Sequence, residues 1–136
     1  MNTHPRKILR DDVQARLKAV LSVPVYAGRA RDLPRNTTEA VAVYVAEEQL
    51  SRPAAARGRP AGPITRRMKV EIIAISEGPD EEVCDRLDAL CRDIELALAA
   101  RADLEPQAVE ISLSSADRVR SLAVMTYSAQ VQDTLN

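Results

Sequence analysis

Aromatic side chains are almost missing from this chain. Its 136 residues include three Tyr, no Phe and no Trp. The core therefore has to be aliphatic, built from Val, Leu, Ile and Ala. The same lack argues against a single-stranded nucleic-acid platform, which stacks bases on aromatic rings. Histidine is nearly as scarce: His4 is the only one, and it sits in the first residues. No Ser-His-Asp or Cys-His arrangement can then be assembled inside an ordered core. The four glycines are dispersed along the chain, so no glycine-rich phosphate loop is present. No apolar run approaches the roughly 20 residues of a membrane span. The opening MNTHPRKILRDD has no apolar stretch of the signal-peptide kind. The expectation is a cytoplasmic protein without a membrane partner.

Cysteine is limited to Cys84 and Cys91. Seven residues apart on one helix, their Cα atoms stand about 10.5 Å from each other, too far for a mutual disulfide. Both are expected as buried structural thiols on an apolar stripe. A metal site would need further ligands at short spacing, and the sequence offers none, so neither a metal nor a cofactor is expected. Acidic neighbours such as Asp11-Asp12 and Glu47-Glu48 point in different directions on a helix or strand and read as solvated surface. No catalytic residue is assigned, and an enzyme is not expected.

What is present is a regular alternation of element types. Ile8, Leu9, Val13, Leu17, Val20 and Leu21 recur at helical spacing, with charged residues opposite them, and predict a helix over about 5–21. Thr3 or Asn2 could cap it, and Pro5 suits its first turn. Val23 to Ala27 reads as a short strand closed by Gly28, and Pro24 marks it as an edge or as a strand start. Val41, Val43 and Val45 alternate in a strand over about 40–48. A strand over 67–76 puts Met68, Val70, Ile72 and Ala74 on one face, opposite Lys69, Glu71, Ile73 and Ile75. Val83, Leu87, Leu90, Cys91, Ile94 and Leu98 form the stripe of a helix over 80–100. Val109, Ile111 and Leu113 alternate in a fourth strand, and residues 119–131 supply a fifth. This order predicts one α+β domain spanning 1–136. It has two layers: a mixed or antiparallel sheet of about four to five strands, with two helices packed on it. The C-terminal residues are expected to fray.

Charge is unevenly placed although the whole chain sums to −1. SRPAAARGRPAGPITRRMK, residues 51–69, holds six bases (Arg52, Arg57, Arg59, Arg66, Arg67, Lys69) and no acid, with three prolines and two glycines. It predicts a flexible basic loop at about 50–66, long for a small domain unless it has a task. Between Glu77 and Glu105 stand ten acids and three bases, a net of −7. Opposite patches on one molecule suit head-to-tail pairing of copies, which closes a ring when the rotation allows. Asp80, Glu81, Asp85 and Asp88 are the candidate interface residues. Arg52, Arg57, Arg59, Arg66 and Arg67 are the candidate partner or lumen loop. The same loop keeps open a different class, a nucleic-acid-binding module with salt-dependent affinity.

The succession of segments resembles the tail-terminator family of long-tailed bacteriophages, the family of the lambda minor tail protein U. The segments are RKILRDDVQARLKAVL, VPVYAGRARDLP, AVAVYVAEEQ, a variable loop, RRMKVEIIAIS, DEEVCDRLDALCRDIELAL and RSLAVMTYSAQV, together covering about residues 5–131. Leu122, Val124 and Tyr127 fit the closing-strand pattern loosely. The resemblance implies a non-enzymatic virion protein. Such proteins form a hexameric ring on the last ring of the tail tube, stop its polymerisation and offer a surface to the head. The implied partners are further copies of the chain, the major tail tube protein and a head-completion or connector protein, with DNA passing through the lumen. The implied location is the head-proximal end of the tail in a phage or prophage virion, and the host cytoplasm during assembly. Strands of the AVAVY kind also occur in neck and tail-completion proteins, so a head–tail connector is the neighbouring reading.

Overall fold

A computed structural model describes residues 3–28, 38–52, 63–79, 82–115 and 119–134. Within them two helices lie on one face of a five-stranded mixed sheet, the expected α+β arrangement. The elements are α1 (Pro5–Val20), β1 (Val25–Ala27), β2 (Glu39–Ser51), β3 (Pro63–Gly78), α2 (Val83–Leu98), β4 (Glu105–Ser115) and β5 (Val119–Thr134). The strand order is β1-β2-β3-β5-β4. β1 runs parallel to β2, and the other three pairings are antiparallel.

The start of α1 is set by His4, not by Asn2 or Thr3. Its Nδ1 accepts the Arg6 amide at 3.1 Å, so the lone histidine serves as a helix cap, while Pro5 fills the first turn without losing a donor. Leu9, Val13 and Leu17 form the buried stripe of α1. Val83, Leu87, Leu90, Ile94 and Leu98 form that of α2. These stripes meet Val41 and Val43 of β2, Met68, Val70, Ile72 and Ala74 of β3, and Ala123, Met125, Tyr127 and Ala129 of β5. The core is aliphatic apart from Tyr127 and two methionines, as the composition requires. On the outer face of the sheet a smaller cluster gathers Ala42, Ile73 and Ile75 with Tyr44, Leu122 and Val124. This cluster explains why β3 becomes apolar on both sides towards its end.

Two irregularities re-aim side chains. The β2–β3 register shifts between Val45 and Glu47, so Ala46 is an extra residue in the ladder. A bulge of this kind changes which face the following residues occupy. Val41 and Val43 face the helices before it; Glu48 and Leu50 do so after it, paired with Met68 and Arg66. A second shift, between Pro106 and Ala108, sets the phase of β4. Beyond it Val109, Ile111 and Leu113 stand opposite Met125, Ala123 and Ser121. They therefore share the helix-bearing face of the sheet.

The cysteine expectation is half corrected. Cys91 is half-buried, but Cys84 is exposed. Only Val83 of that adjacent pair belongs to the buried stripe, so Cys84 points outward. No described helix is long and apolar enough to cross a membrane.

Candidate functional site

The basic stretch divides into parts with different fates. β2 continues to Ser51 and β3 begins at Pro63, so the connection is shorter than the 50–66 of the sequence reading. Arg57 and Arg59 lie outside the described residues. Arg52 is half-buried just past the end of β2. Arg67 projects from the outer face of β3, exposed.

Arg66 is not a loop residue. It occupies the helix-facing side of β3, continuing the alternation Ile64, Arg66, Met68, Val70, and only 7% of it is accessible. Its Nε donates to Asp133 of β5 at 3.0 Å, and its Nη1 donates to Glu48 of β2. Arg6 at the start of α1 stands 3.6 Å from the other Glu48 oxygen. Burial opposes the charge on Arg66, but the bonds to Asp133 and Glu48 outweigh it and hold its pKa above the ordinary arginine value. Three strands and the first turn of α1 are thus joined by charge under the end of the helix layer. Arg66 serves this internal network, and its charge is spent inside the subunit.

The acidic candidates also separate. Asp85 and Asp88 are exposed on α2. Asp80 and Glu81 lie outside the described residues, and the helix begins at Val83 rather than residue 80. Two further groups belong with Asp88. Residues 84, 88, 91 and 95 fall on one line along α2 by helical spacing, and Glu95 borders a shallow cleft with Pro106, Val109 and Tyr127. Asp88 and Glu95 therefore look over β4. Between them Cys91 is pushed up to about 11, by burial first and then by the fields of Asp88 and Glu95. The Tyr127 hydroxyl is raised too, by burial first and then by Glu95 and Cys91.

The outer face of the sheet carries an open groove of about 450 Å³. Arg67, Lys69, Glu47, Glu71 and Glu110 line it. Lys69 is 3.4 Å from Glu47, and the Tyr44 hydroxyl donates to Glu71. Charges of both signs alternate there and neutralise each other, so the groove does not focus a field on a ligand. Among the described residues no cluster of His, Cys, Asp and Glu is placed to hold a metal ion.

No protein-family model matches the chain, and comparison with the curated proteins finds no match either.

The surface feature that the sequence reading missed is β4. Every residue from Glu105 to Ser114 is exposed. Val109 is 52%, Ile111 64% and Leu113 60% accessible. They continue the core-facing side of the sheet past the edge of α2, where neither helix covers them. β4 is also the last strand in the sheet order, so one row of its backbone donors and acceptors has no strand partner among the described residues. The alternation of these three residues was legible in the sequence. Their lack of cover was not, because it depends on where α2 lies.

Proposed function

We propose that this chain is a structural assembly protein of a long-tailed phage or prophage, a tail terminator. Copies of it form a ring, a hexamer by the resemblance. The ring caps the tail tube, stops tube polymerisation and presents the surface that joins the head. Its partners in this reading are further copies of itself, the major tail tube protein and a head-completion or connector protein, with DNA passing through the lumen. It works at the head-proximal end of the tail after assembling in the host cytoplasm, and it catalyses no reaction.

The observation that carries the reading is the uncovered strand β4 on an otherwise well-packed two-layer fold. Exposed apolar surface on a whole strand is the mark of a surface that another protein covers. The two grooves beside Arg67 are open and lined by charges of mixed sign. A wall element in a ring needs such surface at its flanks, and a substrate pocket is of no use to it. The succession of segments that resembles tail terminators supports the same conclusion.

The test is co-assembly. The protein is mixed with the tail tube protein from the same phage genome while tubes grow, and tube lengths are measured by negative-stain electron microscopy. Tubes of bounded length, each with a distinct ring at one end, are expected. A length distribution identical to that of tube protein alone, with no ring at either end, refutes the proposal.

A further inference from the structure

We infer that the β4–α2 flank of one copy receives the α1–β1 flank of a second copy, and that this heterologous contact is the joint of the ring. The inference rests on the ring reading above and names the surfaces that make it.

The receiving flank has an apolar floor and an acidic wall. Val109, Ile111 and Leu113 are the floor. The wall is the side of α2 that carries Asp88 and Glu95, with Arg92 4.0 Å from Glu95, and it keeps a net negative charge. The opposite side of α2 faces inward over the sheet, where Arg86 lies 3.7 Å from Glu39 of β2.

The inserting flank lies at the other end of the strand order. Lys7, Asp11, Gln14 and Lys18 share one side of α1 by spacing; Lys7 donates to Asp11, which leaves these residues at a net charge of +1. Gln14 donates to the Val25 carbonyl at 3.2 Å, which places this side over β1, the opposite edge strand. The other side of α1 is occupied, since Asp12 accepts Nη1 of Arg101, just beyond α2, at 2.7 Å. Lys7 and Lys18 are exposed. Across its length α1 carries five bases and two acids; α2 carries four acids and two bases.

The two flanks are thus opposite in net charge, and the receiving flank exposes aliphatic side chains. They sit at opposite ends of one sheet, so the same patch cannot face itself. Contact between unlike patches repeats from copy to copy and either closes a ring or runs on as a filament. The charges set orientation and encounter rate, and the apolar floor supplies the holding energy.

The experiment separates the two faces. One variant, Ile111→Asp, spoils the receiving flank. A second, Lys7→Glu with Lys18→Glu, spoils the inserting flank. Folding is checked by circular dichroism, and Ile111→Thr, which keeps a strand-forming residue, stands in if the aspartate variant unfolds. Mass photometry of each variant alone should show the concentration for half-assembly raised about tenfold or more over wild type. Mixed together, the two variants retain one good face each and should form a 1:1 pair and nothing larger. A folded Ile111 variant that assembles as wild type does overturns the inference and leaves the ring standing. A mixture in which the two variants stay single likewise rules out this pairing of flanks. A wild-type protein that is monomeric at every concentration and salt, with or without tube protein, removes the ring and the joint together.

Discussion

Replacing Arg66 with alanine strips the central cation from the charge network beneath the helix layer. The Arg66 side chain is 8% exposed, that of Glu48 10% and that of Asp133 23%. Removing one partner of a buried pair costs about 3–5 kcal/mol, because the charge left behind is neither solvated nor compensated. Two features place this case at the lower end. Arg6 remains 3.6 Å from Glu48, and Asp133 is the most accessible of the three. About 3 kcal/mol is then the expected loss. That is a large part of the roughly 5–15 kcal/mol that holds a domain folded. For a chain of this size it lowers the melting temperature by about 10–15 °C. Urea unfolding followed by circular dichroism measures the loss, with the slope of the transition checked against wild type. A companion variant, Arg66→Met with Glu48→Leu and Asp133→Leu, removes all three charges. It should unfold within about 1 kcal/mol of wild type, since replacing a buried charge set by aliphatic groups is often close to neutral. An Arg66→Ala protein that loses less than about 1 kcal/mol would show that water reaches Glu48 and Asp133. The claim that the network is internal would then be wrong.

Cys91 keeps its proton more tightly in the fold, from an ordinary 9.0 to about 11, and Tyr127 is raised in the same sense. Stability from a raised acid is fully present below its unfolded pKa and is lost as pH rises through the folded value. Unfolding free energy should therefore fall between about pH 9 and pH 11, with a shallower slope in Cys91→Ala. An equal slope in the two proteins would contradict the assignment. In the same pH range, iodoacetamide should label exposed Cys84 well before Cys91. Gly28 has φ +95° with open space around the position of a Cβ. Gly28→Ala should cost about 1 kcal/mol through backbone strain alone, read as a lower unfolding midpoint. An unchanged midpoint would mean that the turn relaxes.

Element types were largely readable because periodicity and burial agree over most of the chain. Val41 and Val43, Met68 to Ala74, and Leu87 to Leu98 announce the faces they bury. Failures came where a residue's environment depends on a distant one. Arg66 and Arg67 are adjacent and chemically alike, yet one is enclosed and the other solvated. The alternation of Ile64 with Met68 places Arg66 inward. Its partners, however, lie 18 and 67 residues away, and Glu48 reaches it only through the bulge at Ala46, which no propensity announces. Cys84 is expected inward along with Cys91, yet it stands one residue, a 100° turn of the helix, from the stripe residue Val83. The β4 stripe reads as core by alternation, and only the lateral position of α2 decides that it is surface.

The order β1-β2-β3-β5-β4 also bears on how the chain is made. Its last strand is an interior one. Residues 119–134 pair with β3 on one side and β4 on the other, so nothing bridges those two strands until the ribosome has released β5. α1, β1, β2, β3 and α2 can gather earlier, but β3 then offers an open edge with Met68, Val70 and Ile72 incompletely covered. Such an edge is where chains pair wrongly with one another during synthesis. Fast closure by β5, with Asp133 locking onto Arg66 as the final turn of the ladder forms, is what ends that exposure. Overproduction from a strong promoter should therefore trap this protein as inclusion bodies more readily than its folded stability alone would suggest, and slower expression should relieve it.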